Sequence, residues 1–145
     1  MKKILFDTTV FDLIYNDILP EKWRRYWQEI QNNNRELILF EILISEIFYR
    51  LSKEYGFEPI QNKIYQIKSL KSSKIVKIND RLALNAGKIK IKYHNLSIVD
   101  SYILTLSNHF NARIVTTDHG IRDASKGERI QVDFLPWEEV RKLKT

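Results

Sequence analysis

Short apolar runs alternate along the chain with longer segments whose apolar residues recur at helical spacing. Ile4-Leu5-Phe6 is the first run and predicts a strand over residues 3–6, followed by a helix from Thr9 to about Asn16. Pro20 opens a second helix to about Asn32. Its stripe of Trp23, Tyr26, Trp27 and Ile30 reads as core or a dimer contact in preference to a base-stacking platform. After the Asn32-Asn33-Asn34 loop, Glu36 to Phe40 is a second strand, and the helix behind it runs to Tyr55, where Gly56 ends it. Pro59 starts a helix to about Leu70, and Lys74 to Ile78 reads as a third strand.

Local signals conflict over residues 81–93. Lys88-Ile89-Lys90-Ile91-Lys92-Tyr93 alternates like a strand, whereas Leu82-Ala83-Leu84-Asn85-Ala86 is strongly helical and Asn79-Asp80 can cap it, so the pattern favours a helix to about Tyr93. Residues 96–118 then give an amphipathic helix beginning near Asp100 and a short buried strand ending at Asp118. Ile130 to Phe134 is a last, edge strand, and Pro136 opens a terminal helix. This alternation predicts an α/β fold with a mainly parallel central sheet and helices on both faces, one domain over residues 1–145. No repeats, linkers or low-complexity segments interrupt it.

Composition narrows the function. With no cysteine, disulfides, thiolate zinc sites and cysteine nucleophiles are excluded together, which suits a reducing cytoplasm. Any metal must use oxygen or imidazole ligands. Met1-Lys2-Lys3 imitates the start of a signal peptide, but Asp7 ends the apolar run. The apolar cluster over residues 37–48 is interrupted by Glu41 and Glu46, short of the roughly 20 residues a bilayer needs. A soluble, cytoplasmic protein is expected. Lys and Arg number 24 against 18 acids, net +6, which favours a polyanionic partner, nucleic acid first. Lys63, Lys68, Lys71, Lys74, Lys77, Lys88, Lys90 and Lys92 either attract such a backbone or form solvated faces. With four glycines in the chain, no phosphate-cradling Gly-rich loop exists.

Four carboxylates carry the chemistry, and each has a bland reading. Asp7 can cap the helix after strand one; Glu46 can pair with Arg50 one turn on; Asp100 fits the third position of a capping box begun by Ser97; Asp118 can make an Asx-turn in Thr-Asp-His-Gly. Their joint placement is harder to dismiss. Helix N-termini and the carboxyl ends of strands share one edge of such a sheet, so all four acids can reach it. Like charges gathered there repel, and a hard divalent cation such as Mg²⁺ or Mn²⁺ removes that penalty.

The order Ile-Leu-Phe-Asp-Thr-Thr, Ile-Ser-Glu-Ile, Leu-Ser-Ile-Val-Asp-Ser-Tyr-Ile and Ile-Val-Thr-Thr-Asp resembles the PIN-domain ribonucleases, especially the VapC-like toxins of toxin-antitoxin pairs, over nearly the whole chain. The resemblance implies a three-layer α/β/α PIN-like fold and settles residues 81–93 as helix. It matches the family's four acidic positions to Asp7, Glu46, Asp100 and Asp118, as catalytic residues and as ligands of one or two Mg²⁺ or Mn²⁺ ions. Thr116 matches the family's small hydroxyl residue before the last acid. It further implies an RNA substrate cut to 5′-phosphate and 3′-hydroxyl ends, a cognate antitoxin covering the groove, and a homodimer. The chain departs from the family at His-Gly-Ile-Arg-Asp after Asp118, so Asp123 competes for the fourth acid's role. His119 reads as an exposed turn histidine or a phosphate contact, while Thr8, Thr9 and Thr116 position a water or an acid, or cap.

Two rival functions remain. An aspartyl phosphotransferase or phosphatase usually carries a second Asp two positions after the first, where Thr9 stands. A non-catalytic RNA-binding PIN-like module keeps the fold without cutting.

Overall fold

The computed structural model describes residues 1–144. At its centre lie β1 (Lys3–Phe6), β2 (Glu36–Phe40), β3 (Ser73–Val76), β4 (Arg113–Thr116) and β5 (Val132–Phe134), in the sheet order β3-β2-β1-β4-β5. Every pairing is parallel. Parallel strands are covered on both faces and so read as near-continuous apolar runs. Accordingly Ile4, Leu5, Phe6, Leu37, Ile38, Leu39, Phe40, Ile114 and Val115 are at most 2% exposed.

Helices α1 (Thr8–Tyr15) and α2 (Glu21–Gln31) join β1 to β2, and α3 (Glu41–Tyr55) and α4 (Phe57–Lys68) join β2 to β3. The chain returns across the sheet through α5 (Asp80–Lys92) and α6 (Ile98–Phe110) to β4, then through α7 (His119–Gly127) to β5. Last come α8 (Trp137–Val140) and a 3₁₀ turn over Arg141–Lys144. Right-handed crossovers put α1 to α4 on one face and α5 to α7 on the other, the three-layer α/β/α arrangement. Strand order reverses between β1 and β4, and ligands bind such sheets outside the carboxyl ends of the strands at that reversal.

The aromatic stripe of α2 is core: Trp23, Tyr26 and Ile30 are 2%, 8% and 0% exposed. Each such burial is worth roughly 1.5–3 kcal/mol. The contest over residues 81–93 goes to the helix. Asn79 caps α5 by accepting from the Leu82 N–H at 2.9 Å. Helical rotation buries Leu82 and Ala86 and leaves Ile91 82% exposed, against the alternation that suggested a strand.

Several boundaries differ from expectation, among them that of β5, which covers Val132–Phe134 and leaves out Ile130. β3 occupies Ser73–Val76 and stops short of Ile78. Helix α4 starts at Phe57, which places Pro59 in a first turn where its missing N–H breaks no helical bond. The larger correction is α7, since Thr-Asp-His-Gly is a helix start and not a turn. Asp118 caps it by accepting from the Ile121 N–H at 2.9 Å. Gly120 weakens the helical signal, yet a Cβ there would lie 3.0 Å from Asp118 Oδ1 and 3.3 Å from Leu96 Cδ2. Its lack of a side chain lets the helix begin beside its own capping acid. Among the described residues, no helix is long and apolar enough to cross a membrane.

Candidate functional site

Asp7 ends β1 and is buried, 4% exposed. Its Oδ1 accepts from the Thr9 hydroxyl at 2.7 Å and from the Val10 N–H at 3.3 Å, which caps α1. Its Oδ2 accepts from the Thr116 hydroxyl and from the Thr117 N–H at 3.2 Å. Thr9 gives its only hydroxyl proton to Asp7, so the 2.5 Å contact between Thr9 and Thr117 is a bond that Thr117 donates. Sequence reasoning anticipated the hydroxyls of Thr9 and Thr116 and missed Thr117. Burial pushes the Asp7 carboxyl above its ordinary pKa, against the opposing pull of these four hydrogen bonds.

The other three acids come from three different elements. Asp118 follows β4, caps α7 through Oδ1 alone, and gives its own N–H to Thr116 Oγ1 at 3.0 Å. Asp100 lies in the first turn of α6, where its N–H donates to Ser97 Oγ at 3.1 Å. Desolvation is the largest influence on Asp100, followed by the charges of Asp118 and Asp7. With a smaller push from Glu46, and against a hydrogen bond from Ser97, they raise its pKa to about 7. Glu46 lies on α3, and its Oε1 accepts from Arg50 Nη1 at 3.1 Å. Its other oxygen, Oε2, is buried with no hydrogen-bond partner.

Asp7, Glu46, Asp100 and Asp118 all line one cavity of about 410 Å³. Thus the bland readings of Asp7, Glu46 and Asp100 hold in part, Asp118 caps a helix in place of the expected turn, and all four line the same cavity. Asp123 stays outside this cavity, 65% exposed and paired with Arg122 at 3.0 Å. His119 opens α7 and packs edge-on to Phe134 with ring centres 4.9 Å apart, also outside the cavity lining. None of the eight lysines considered from sequence lines the cavity; its cations are Arg50 and Lys144. Asp12, Glu54, Trp137 and Lys144 complete the wall without a sequence signal that set them apart.

A buried carboxylate oxygen without a donor is costly, and an oxygen-seeking divalent cation would satisfy it. Glu46 Oε2, the second oxygen of Asp118 and the Asp100 carboxyl fit such an ion. Asp7 fits less directly, because its lone pairs already receive four donors. Among the described residues, no three acidic or imidazole side chains are gathered into a ready-made metal cluster.

Solved structures share this fold at low sequence identity. A VapBC2 structure from Rickettsia felis, bound to a promoter DNA fragment, matches with TM-score 0.69 and 16% identity over 92% of this chain and 98% of that one. DNA-bound VapBC from Salmonella typhimurium gives 0.68 and 19% over the same shares. A toxin-antitoxin complex from Klebsiella pneumoniae gives TM-score 0.55 and 17% identity over 79% of this chain and 86% of that one. No curated protein sequence matches the chain. The PIN domain family model, however, matches residues 4–127, which span β1 to the end of α7 and include all four acids. The chain therefore belongs to the PIN domain family.

Proposed function

We propose that this PIN-domain protein is a divalent-metal-dependent endoribonuclease and the toxin of a toxin-antitoxin pair. The observation that carries the reading is the convergence of Asp7, Glu46, Asp100 and Asp118 on one cavity, with Glu46 Oε2 buried and unpartnered. Glu46, Asp100 and Asp118 would hold Mg²⁺ or Mn²⁺. Asp7 would hold it too by yielding one of its donors, and otherwise fixes the end of β1 to β4. When bound, the ion supplies Lewis acidity for phosphodiester hydrolysis. Water adds to phosphorus and the 3′-oxygen leaves, giving 5′-phosphate and 3′-hydroxyl ends with no protein nucleophile. The raised pKa of Asp100 allows it to exchange a proton near neutrality before the ion binds.

The toxin assignment is supported by the toxin-antitoxin complex among the structures of the same fold. The net charge of +6 suits an RNA substrate. A cognate antitoxin would restrain the enzyme by covering the cavity, and two copies of the chain would pair as a homodimer.

The open spacing of the acids favours one second reading, an RNA-binding module that does not cut. Cleavage of a panel of structured RNAs by wild type and Asp100→Asn, with Mg²⁺, Mn²⁺ or chelator, separates the two. The nuclease reading expects metal-dependent cutting that the substitution abolishes. Binding without cutting in every metal favours the module, and 2′,3′-cyclic phosphate products would rule out attack by water.

A further inference from the structure

The cavity is lined by six carboxylates, because Asp12 and Glu54 stand with the four already described. An RNA backbone approaching that many negative charges is repelled, and a cation held by the four acids already described does not neutralise Asp12 and Glu54. That pair has a counter-ion of its own. Lys144 Nζ donates to Asp12 Oδ2 at 3.0 Å and to Glu54 Oε1 at 3.1 Å. The ammonium also lies 5.6 Å from the ring centre of Tyr55 and 5.8 Å from that of Trp137.

Its seat is built. Asp12 Oδ1 accepts from the Tyr55 hydroxyl at 2.6 Å and from Asn16 Nδ2 at 2.8 Å, leaving Oδ2 to the lysine. The Lys144 side chain is 21% exposed, unlike the freely solvated lysines whose ion pairs contribute little.

Arg50 is placed differently. Glu46, Arg50 and Glu54 follow one another at one-turn intervals on α3, and all three line the cavity. Arg50 gives Nη1 to Glu46 Oε1 and is 53% exposed. A guanidinium has five N–H donors in a fork suited to phosphate, whereas an ammonium has three. Arg50 therefore retains donors for a ligand, while Lys144 is engaged by two carboxylates.

We propose that Lys144 is a built-in counter-ion that offsets one of the two charges of Asp12 and Glu54, dividing the cavity into a part for the divalent cation at Glu46, Asp100 and Asp118 and a part that admits an RNA phosphate onto Arg50. This rests on the nuclease reading above. Lys144 acts as a positioning residue, and Arg50 touches the substrate backbone beside the cleaved bond.

The test is fluorescence anisotropy of a labelled single-stranded RNA with Mg²⁺, in the Asp100→Asn background that removes cutting. Circular dichroism first checks each variant's fold. Adding Lys144→Met should weaken binding about tenfold at low salt, and adding Glu54→Gln to that variant should restore it to within about twofold, since the exposed charge is gone. Arg50→Gln should weaken binding and reduce the slope of log affinity against log salt by about 0.7, the release expected for one single-strand phosphate contact. A strap with only a mechanical role would lose binding with Lys144→Met and fail to regain it with Glu54→Gln, which overturns the proposal. Unchanged or tighter binding by Lys144→Met overturns it too. If Lys144→Met does not fold, Glu54→Gln alone decides: binding should tighten about two- to threefold, and no tightening sinks the idea. A background protein that binds no RNA at all would instead remove the nuclease reading itself.

Discussion

Thr116 joins two acids of the cavity through one hydroxyl: it donates to Asp7 Oδ2 and accepts from the Asp118 N–H at 3.0 Å. Thr116 is fully buried, so neither partner finds water in its place when that hydroxyl is removed. Thr116→Val keeps the shape and should cost about 1–3 kcal/mol, the usual penalty for stranding buried polar groups. Urea denaturation measures it. An unchanged midpoint would mean that the Asp7 carboxylate is satisfied without Thr116.

Stability should fall as pH rises through the range below neutrality. Asp100 has a folded pKa of about 7 against an ordinary value of 3.8, so the folded state holds its proton more tightly than the unfolded state does. The penalty is absent below the unfolded value, grows between the two and is complete above the folded one. Burial shifts Asp7 in the same direction. Without metal, the midpoint for denaturation should therefore be higher at the acid end of that window than above neutrality. Asp100→Asn should flatten the profile and raise stability above neutrality. A wild-type profile that rises with pH over the same window would contradict this.

Divalent metal should reverse that penalty. Binding confined to the folded state stabilises by about 2.7 kcal/mol at a hundredfold excess over Kd. Mg²⁺ or Mn²⁺ should raise Tm, chelator should return it, and Asp118→Asn or Glu46→Gln should blunt the rise. An equal rise in all proteins would place the ion elsewhere.

Two glycines should respond in opposite directions to alanine. A Cβ at Gly127 would fall 2.2 Å from the Tyr93 hydroxyl, which donates to Glu128 at 2.7 Å. Gly127→Ala must displace that ring and should cost about 1–3 kcal/mol. Gly87 lies within α5, and a Cβ there would meet nothing within 4 Å. Gly87→Ala should stabilise by about 0.4–1 kcal/mol. Paired thermal melts check both, and an unaffected Gly127→Ala would show that Tyr93 moves freely.

The strands at the sheet centre were legible in sequence because burial on both faces removes polar positions from them, as in Leu37 to Phe40. Asp7, Asp100 and Asp118 were legible because they stand at the end of a strand or the start of a helix, and Glu46 because it lies in the helix directly after the second strand, all near one edge of the sheet. Helix α7 was not, since His-Gly at its start carries poor helix propensity and only the Asp118 cap and the contact with Leu96 explain the glycine. Asp12, Glu54 and Lys144 were hidden for another reason. They meet only in three dimensions, at separations no local pattern records, and Lys144 resembles any other residue in a basic segment.

The Lys144 to Asp12 bond spans 132 positions and the Thr116 to Asp7 bond spans 109. Chain closure over such lengths comes late in folding, after local helices have formed. A full-length chain in which these closures have not yet formed holds every acid of the cavity but neither of these ties. The cavity of the proposed nuclease is therefore a property of the finished fold, complete only once the end of the first strand has been joined to the last quarter of the chain.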